Sequence, residues 1–337
     1  MEWLSAHVEE IWFLIIGFFV LYYSVADGYD LGVGMIALST SNEGKRGIMM
    51  ASLQSVWQTN QTWLVLLGGM LFGAFPLFYS VALSAFYVPF VIMLFGLIFR
   101  GIALELRDQS TKPGLWSLSF GLGSLVTALA QGFTLGGIFY GVPMEGHTFT
   151  GTMWSWLHPY SAVFALGVLS GYTMLGANYL ILKTTGEVRE LGIRCSLRAA
   201  SATAIISITI YAWTIARHSF MAEKWQAMPS RFYVSLFPVM AAFCFAMCVW
   251  KIRRQSDIAP FFWNAAFVFC AFIGISVGFY PYIIPNMVTI KSAAVSSTAT
   301  LIFMLAVMAI LLPVILGYIG YKHWVFRGKI DSEGYSD

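Results

Sequence analysis

Two aspartates, Asp27 and Asp30, lie inside an apolar stretch that has no other acidic residue between Glu10 and Glu43. A carboxylate held in hydrocarbon costs about 2.5–3.5 kcal/mol on insertion scales. Residues three apart in a helix share one face. A helix that turned this pair toward lipid would be penalised twice. Asp27 and Asp30 therefore have to face a protein interior or a wet cavity, and the rest of the chain must build it.

The composition says what kind of chain this is. Hydrophobic residues make up 58% of the 337 and charged residues only 10%, against roughly 25% charged in soluble domains. Apolar runs of about 20 residues recur along the sequence, the length that spans a bilayer as a helix. The strict alternation of a membrane β-barrel is missing. An all-α, polytopic membrane protein is expected. Glu2, Glu9 and Glu10 occupy the place of a basic signal-peptide start, so the first helix is expected to be retained. The small positive net charge needs no nucleic-acid partner.

The run lengths predict nine spans at roughly 11–38, 54–75, 78–99, 115–138, 158–182, 198–217, 231–251, 260–284 and 299–321. With the N-terminus outside, 15 of the 19 Lys and Arg fall in cytoplasmic segments. That bias predicts an N-out, C-in topology. Asp27-Gly-Tyr-Asp-Leu-Gly in the first span resembles Ser170-Gly-Tyr-Thr-Met-Leu-Gly in the fifth. A division follows into one four-helix unit over residues 1–140, a second over 155–285, a ninth helix over 298–322 and a cytoplasmic tail over 323–337. Gly32-Val-Gly34 and Gly68-Gly69 are expected to be close helix contacts.

Counting depth from the helix ends puts several polar groups in one cytoplasmic-side layer. Asp27 and Asp30 come from the first span, Gln58, Asn60 and Gln61 from the second, and Arg100 and Glu105 from the end of the third. Carboxylates, amides and a guanidinium order water between them, which is the material of a proton inlet. The same residues also make a polar knot that fixes helix packing, with Arg100 neutralising an acid. The residues alone leave both readings open.

Other chemistry is not signalled. Cys195, Cys244, Cys248 and Cys270 show no C-x-x-C spacing and read as packing residues. No metal site is expected. His7, His147, His158, His218 and His323 all lie toward span ends, whereas haem b is most often held by histidine. Lys291, at the outer start of the last span, reads as a capping or interfacial residue.

Taken together, Ala26-Asp-Gly-Tyr-Asp-Leu-Gly-Val-Gly34, the Trp57, Asn60 and Trp63 frame, Phe99-Arg-Gly with Ala103, Glu105 and Arg107, Tyr280-Pro-Tyr-Ile-Ile-Pro285 and Trp324-Val-Phe-Arg-Gly-Lys329 resemble subunit II of the cytochrome bd-type quinol oxidases, the cyanide-insensitive type among them. The resemblance covers nearly the whole chain. It implies a multi-pass protein of the bacterial inner membrane, in a heterodimer with a haem-bearing subunit I. That partner would carry haem b and haem d, or b in place of d, and the complex would oxidise quinol and reduce dioxygen to water. Protons would come from the cytoplasm without a true pump. Subunit II would hold no haem and no catalytic residue, and in some members it holds a structural quinone. Small single-helix accessory subunits and membrane lipid complete the implied partners. By the resemblance Asp30, Arg100 and Glu105 match the proton side, with Asp27, Gln58 and Asn60 beside them, and Trp63 matches a residue near an oxygen entrance.

Two departures stand out. The family pattern has an acid directly after Trp57, where this chain has Gln58, and Trp-Asp near the last span, where it has Lys291-Ser292. An amide holds a water wire but does not exchange a proton at neutral pH. The alternatives are therefore a scaffolding subunit of a divergent bd-like complex and, without regard to the resemblance, a self-sufficient proton-coupled carrier.

Overall fold

The computed structural model describes residues 2–331 and 334–336. Thirteen α-helices account for most of them: α1 (Glu2–Ala37), α2 (Glu43–Ala51), α3 (Trp57–Ala74), α4 (Pro76–Ala85), α5 (Tyr87–Leu106), α6 (Pro113–Tyr140), α7 (Pro159–Lys183), α8 (Gly186–Arg217), α9 (Ser219–Gln226), α10 (Ser230–Arg253), α11 (Ala259–Phe279), α12 (Ile290–Ala293) and α13 (Thr298–Val325). Eight of these described helices, α1, α5, α6, α7, α8, α10, α11 and α13, are long and apolar enough to cross a membrane. The expected second span corresponds to α3. It is 18 residues long, but Gln58, Asn60 and Gln61 in its first turns lower its apolar character.

Prolines set several boundaries differently from the expectation. The segment expected as one span over 78–99 is split at Phe86, with α4 before it and α5 after it. Pro89 is the cause: its ring would clash with the carbonyl of Ala85 in a continuous helix. The eighth span was expected to run to 284, but α11 stops at Phe279, just ahead of Tyr280-Pro281. Tyr282–Ile284 then pairs antiparallel with Val288–Thr289. Asn286, at a φ of 59°, takes the left-handed turn position that Asn tolerates.

Helix α1 is the hub, because glycine lets its neighbours come close. A Cβ on Gly32 would sit 1.8 Å from the carbonyl oxygen of Tyr172 on α7, and one on Gly176 would meet the carbonyl carbon of Gly32 at 2.4 Å. Gly34 does the same toward α6, where a Cβ would fall 2.1 Å from Ser124 Oγ. The two segments matched as a repeat are thus in contact. The expectation for Gly68-Gly69 is corrected: a Cβ at either position meets nothing within 4 Å in this chain. Gly69 is exposed and Gly68 partly so.

Two apolar clusters flank the polar centre. One holds Trp12, Phe19, Trp63, Phe75 and Phe86, and the other holds Leu31, Met49, Leu53, Phe120, Leu175 and Leu180. The helix ends beyond the second cluster are tied by ion pairs: Lys45 to Glu187 at 2.8 Å, Arg189 to Asp257 at 2.7 Å and Lys329 to Asp257 at 2.6 Å. The segment after α13 is fastened there too, since Lys183 Nζ donates to the carbonyls of Phe326 and Gly328. At the opposite ends, Trp12 Nε1 donates to Leu301 O at 3.0 Å.

Candidate buried charge cluster

Four of the candidate residues meet between α1, α3 and α5. Asp27, Asp30, Asn60 and Arg100 are each no more than 1% exposed. Arg100 is delivered because it continues a buried stripe of α5, Met93, Gly96 and Leu97. Gly96 and Gly123 let α5 and α6 approach so closely that a Cβ on Gly123 would touch Gly96 O at 2.7 Å. Arg100 Nη2 donates to Asp27 Oδ1, and Tyr23 Oη donates to Asp27 Oδ2 at 2.8 Å. Asn60 Nδ2 reaches Asp30 Oδ2 at 3.1 Å, Tyr29 Oη at 2.7 Å and Ala26 O at 3.2 Å.

The satisfaction of these groups is uneven. Both Asp27 oxygens have donors. Asp30 Oδ1 is buried with no partner among the described residues, as are Arg100 Nε and Nη1. Asp30 nevertheless lies within electrostatic reach of Arg100 and Asp27. One guanidinium against two carboxylates leaves a net negative charge when all three are ionised. Burying an uncompensated charge costs several kcal/mol. One bound proton makes the cluster neutral.

The other candidates lie elsewhere. Gln58 and Glu105 sit together on the exposed side of α3 and α5, with Gln58 Nε2 3.5 Å from Glu105 Oε1. Lys322 Nζ, from α13, donates to neighbouring Thr59 at 2.8 Å. Gln61 Nε2 is buried without a partner among the described residues. The expected single layer is therefore split: Asp27, Asp30, Asn60 and Arg100 are sealed, and Gln58 and Glu105 lie on the surface of this chain. Trp63 is buried in an aromatic nest of Phe18, Phe19 and Tyr22, with the Tyr22 ring centroid 4.2 Å away. Lys291, in α12, lies 3.6 Å from Glu10 Oε1 and so ties α12 to α1.

Five partners of the cluster did not come from the sequence reading. Gln131 Nε2 donates to Tyr23 Oη at 2.7 Å, and Tyr172 Oη donates to Gln131 Oε1 at 2.9 Å. Tyr29 stacks on Tyr179 with centroids 4.3 Å apart, and Tyr179 Oη donates to Ser52 O at 2.8 Å. Two of them carried a signal. Tyr23 is four residues before Asp27, on the same face, and Gln131 is the one side-chain amide in the run 115–138.

Charged groups outside the spans behave as fixtures of the helix ends. Burial opposes ionisation of Glu43, but hydrogen bonds from Arg46 and Ser117 and the charges of Arg46 and Arg107 outweigh it and lower its pKa. At His218, burial is the larger effect and lowers the pKa, against the bond to Phe139 O. His218 Nε2 lies 2.8 Å from that carbonyl. Cys244, Cys248 and Cys270 are buried free thiols, and Cys248 Sγ donates to Pro260 O at 3.3 Å.

Fold and cluster together define a class: a helical integral membrane protein with an ion pair and a second carboxyl sealed among its central helices. The comparisons narrow the class to a family. The sequence profile of the family described as "Cytochrome bd terminal oxidase subunit II" matches residues 8–326, and the chain belongs to that family. It is therefore a subunit of an oxidoreductase, a terminal oxidase. It is 25% identical to the "Cytochrome bd-I ubiquinol oxidase subunit 2" of Escherichia coli (strain K12), over 96% of this chain and 95% of that one. It is 24% identical to the "Cytochrome bd ubiquinol oxidase subunit 2" of Bacillus subtilis (strain 168), over 97% and 98%. Its fold matches a chain of the bd oxidase structure from Geobacillus thermodenitrificans with a TM-score of 0.77, at 19% identity, over 94% of this chain and 98% of that one.

Proposed function

We propose that this chain is the non-haem subunit of a quinol-oxidising, dioxygen-reducing complex of the bacterial inner membrane, and that its buried cluster handles protons drawn from the cytoplasm. The named relatives are subunits of ubiquinol oxidases, which supports quinol as the reductant. In this reading a partner subunit holds the haems, b with d or b alone, and carries the redox chemistry. The nine-span, N-out arrangement, with α3 as the span of lowest hydropathy, and the division into two four-helix units belong to the same proposal.

The observation that carries the proton role is charge balance: two carboxylates and one guanidinium, all sealed, with one carboxyl oxygen and two guanidinium nitrogens unpartnered among the described residues. Such a cluster binds one proton to reach neutrality, and its free donors and acceptor order water. Glu105, paired with Gln58 on the surface, is the acid at the mouth of the route, since Gln58 itself only relays through its amide. Trp63 belongs to the apolar oxygen side, and a structural quinone remains part of the family-based expectation.

A scaffolding role has its own support, because the Arg100–Asp27 pair is as enclosed as a packing device would be. One variant separates the readings. Asp30→Asn is expected to leave the haem-bearing complex assembled, as judged by its visible spectrum, and to slow quinol-driven oxygen uptake at least tenfold. Unchanged uptake would exclude an obligatory role for Asp30, and loss of the assembled complex would favour the scaffold. If the chain purified without any haem-bearing partner, and its deletion left membrane quinol oxidase activity intact, the whole proposal would fail.

A further inference from the structure

We infer that Tyr23, held in place by Gln131 and Tyr172, is a positioning residue that fixes Asp27 as the permanent counter-charge of Arg100 and so leaves Asp30 as the carboxyl that binds the cluster's proton. This inference rests on the proton-handling reading above and assigns its parts.

The direction of the hydrogen bonds forces the assignment. Asp27 Oδ1 accepts from the Arg100 guanidinium; a cation in direct contact favours the ionised carboxyl, and a carboxylate can only accept. The phenol of Tyr23, 2.8 Å from Asp27 Oδ2, must then place its single proton toward Asp27. With that proton committed, the oxygen of Tyr23 has only acceptor capacity left. Gln131, 2.7 Å away, must present its amide nitrogen to Tyr23 and hence its carbonyl to Tyr172, whose hydroxyl is 2.9 Å from it. The row Tyr172–Gln131–Tyr23–Asp27 is thus polarised in one sense, every donor pointing toward Asp27. It joins α7, α6 and α1 at positions that are all under 9% exposed.

The two aspartates end up unlike. A proton arriving at Asp27 meets an existing donor on either oxygen, one of them charged, and charge-assisted bonds are the strong ones. At Asp30, Oδ2 accepts one neutral amide N–H, and Oδ1 accepts nothing from the described residues. A proton therefore adds to Asp30 Oδ1 without displacing a bond. The step is a simple protonation: carboxylate plus proton gives carboxylic acid, the cluster passes from one net negative charge to none, and no electrons move.

Infrared spectroscopy of the purified oxidase complex tests this through the C=O stretch of a buried carboxylic acid, recognised by its shift in D2O. Glutamate and aspartate acids absorb at different positions, so Asp→Glu variants label the protonated site while keeping the charge count. Asp30→Glu is expected to displace the band and Asp27→Glu to leave it in place. In a Tyr23→Phe background, which deletes only the hydroxyl, Asp27→Glu is expected to move it. A wild-type band that follows Asp27→Glu overturns the proposal, with no need of the Tyr23 variant. A band in Tyr23→Phe that still ignores Asp27→Glu removes Tyr23 from the role. The failure of the broader reading looks different: the band would follow Asp30 while Asp30→Asn left oxygen uptake untouched.

Discussion

Arg100 is fully buried, yet its guanidinium is bonded to one carboxylate while two of its nitrogens have no partner among the described residues. Removing one partner of a buried pair is far more costly than removing both, because it strands a charge. Arg100→Met should therefore lower the stability of the solubilised complex by about 3–5 kcal/mol or prevent its assembly. Arg100→Met combined with Asp27→Leu should recover much of the loss, as read from thermal midpoints and haem content. A double variant no better than the single would show that the arginine acts outside the pair. The sequence made part of this site legible. Carboxylates in an apolar run are conspicuous, and counting depth found Asn60 and Arg100. Depth does not give direction, however. Gln58 and Asn60 are two residues apart, roughly 200° around a helix, so burying Asn60 sends Gln58 outward. Glu105 turns away from Arg100 for the same reason. Gln131 was conspicuous as a lone amide, but its meeting with Tyr23 and Tyr172 stayed hidden because it depends on how α1, α6 and α7 pack.

Among elements, α1 and α7 make the approach on which the cluster depends. Gly32→Ala would drive a methyl group into the Tyr172 carbonyl. It is expected to separate the helices, pull Tyr172 from Gln131 and reduce the yield of folded complex. Gly68→Ala, with open space around it in this chain, is expected to cost nothing through packing inside the chain and to gain up to about 1 kcal/mol of helix propensity. Equal losses from both would contradict the packing described. The glycines of α1 were readable as contacts, whereas those of α3 were not distinguishable from them, since composition does not say what lies opposite. The break at Phe86 came from Pro89 (a proline inside an otherwise unbroken apolar run), and the early end of α11 from Pro281. The α10–α11 turn carries a pH dependence. Burial alone would raise the pKa of Asp257, but hydrogen bonds and charges from Lys329 and Arg189 lower it overall. A depressed carboxyl stabilises fully above its unfolded value, about 3.9, and loses that contribution as pH falls through the lower folded value. Release of the segment after α13, read by limited proteolysis, is expected only below about pH 4. Release near neutrality would rule out Asp257 as the clasp.

On the scale of the whole molecule, burial is graded from the centre outward. The most apolar windows of α6 and α7 are each 56% buried within the chain, and that of α13 only 11%. Lipid accounts for exposed faces that are apolar throughout, such as Phe232, Leu236, Val239 and Phe243 on α10. It does not account for α3. Gln58, Thr62, Val65, Gly69 and Phe72 form one exposed stripe at alternating steps of four and three residues, and the Gln58 end adds Glu105. Polar side chains at membrane depth belong against protein or water, so this stripe is where the proposed haem-bearing partner should seat. The open space at Gly68 and Gly69 fits such a surface, since small residues let a second chain's helix approach. Gly69→Trp would fill the middle of the stripe without touching the buried cluster. It is expected to reduce the haem recovered with an affinity-tagged form of this chain by tenfold or more. Val239→Trp, on the apolar face of α10, adds the same bulk at the same risk of misfolding and should leave haem recovery near wild type. If the two variants lost haem equally, bulk alone would explain the effect and the α3 stripe would lose its claim to the partner. If neither did, the partner must seat elsewhere, and the polar end of α3 would need a water-filled opening.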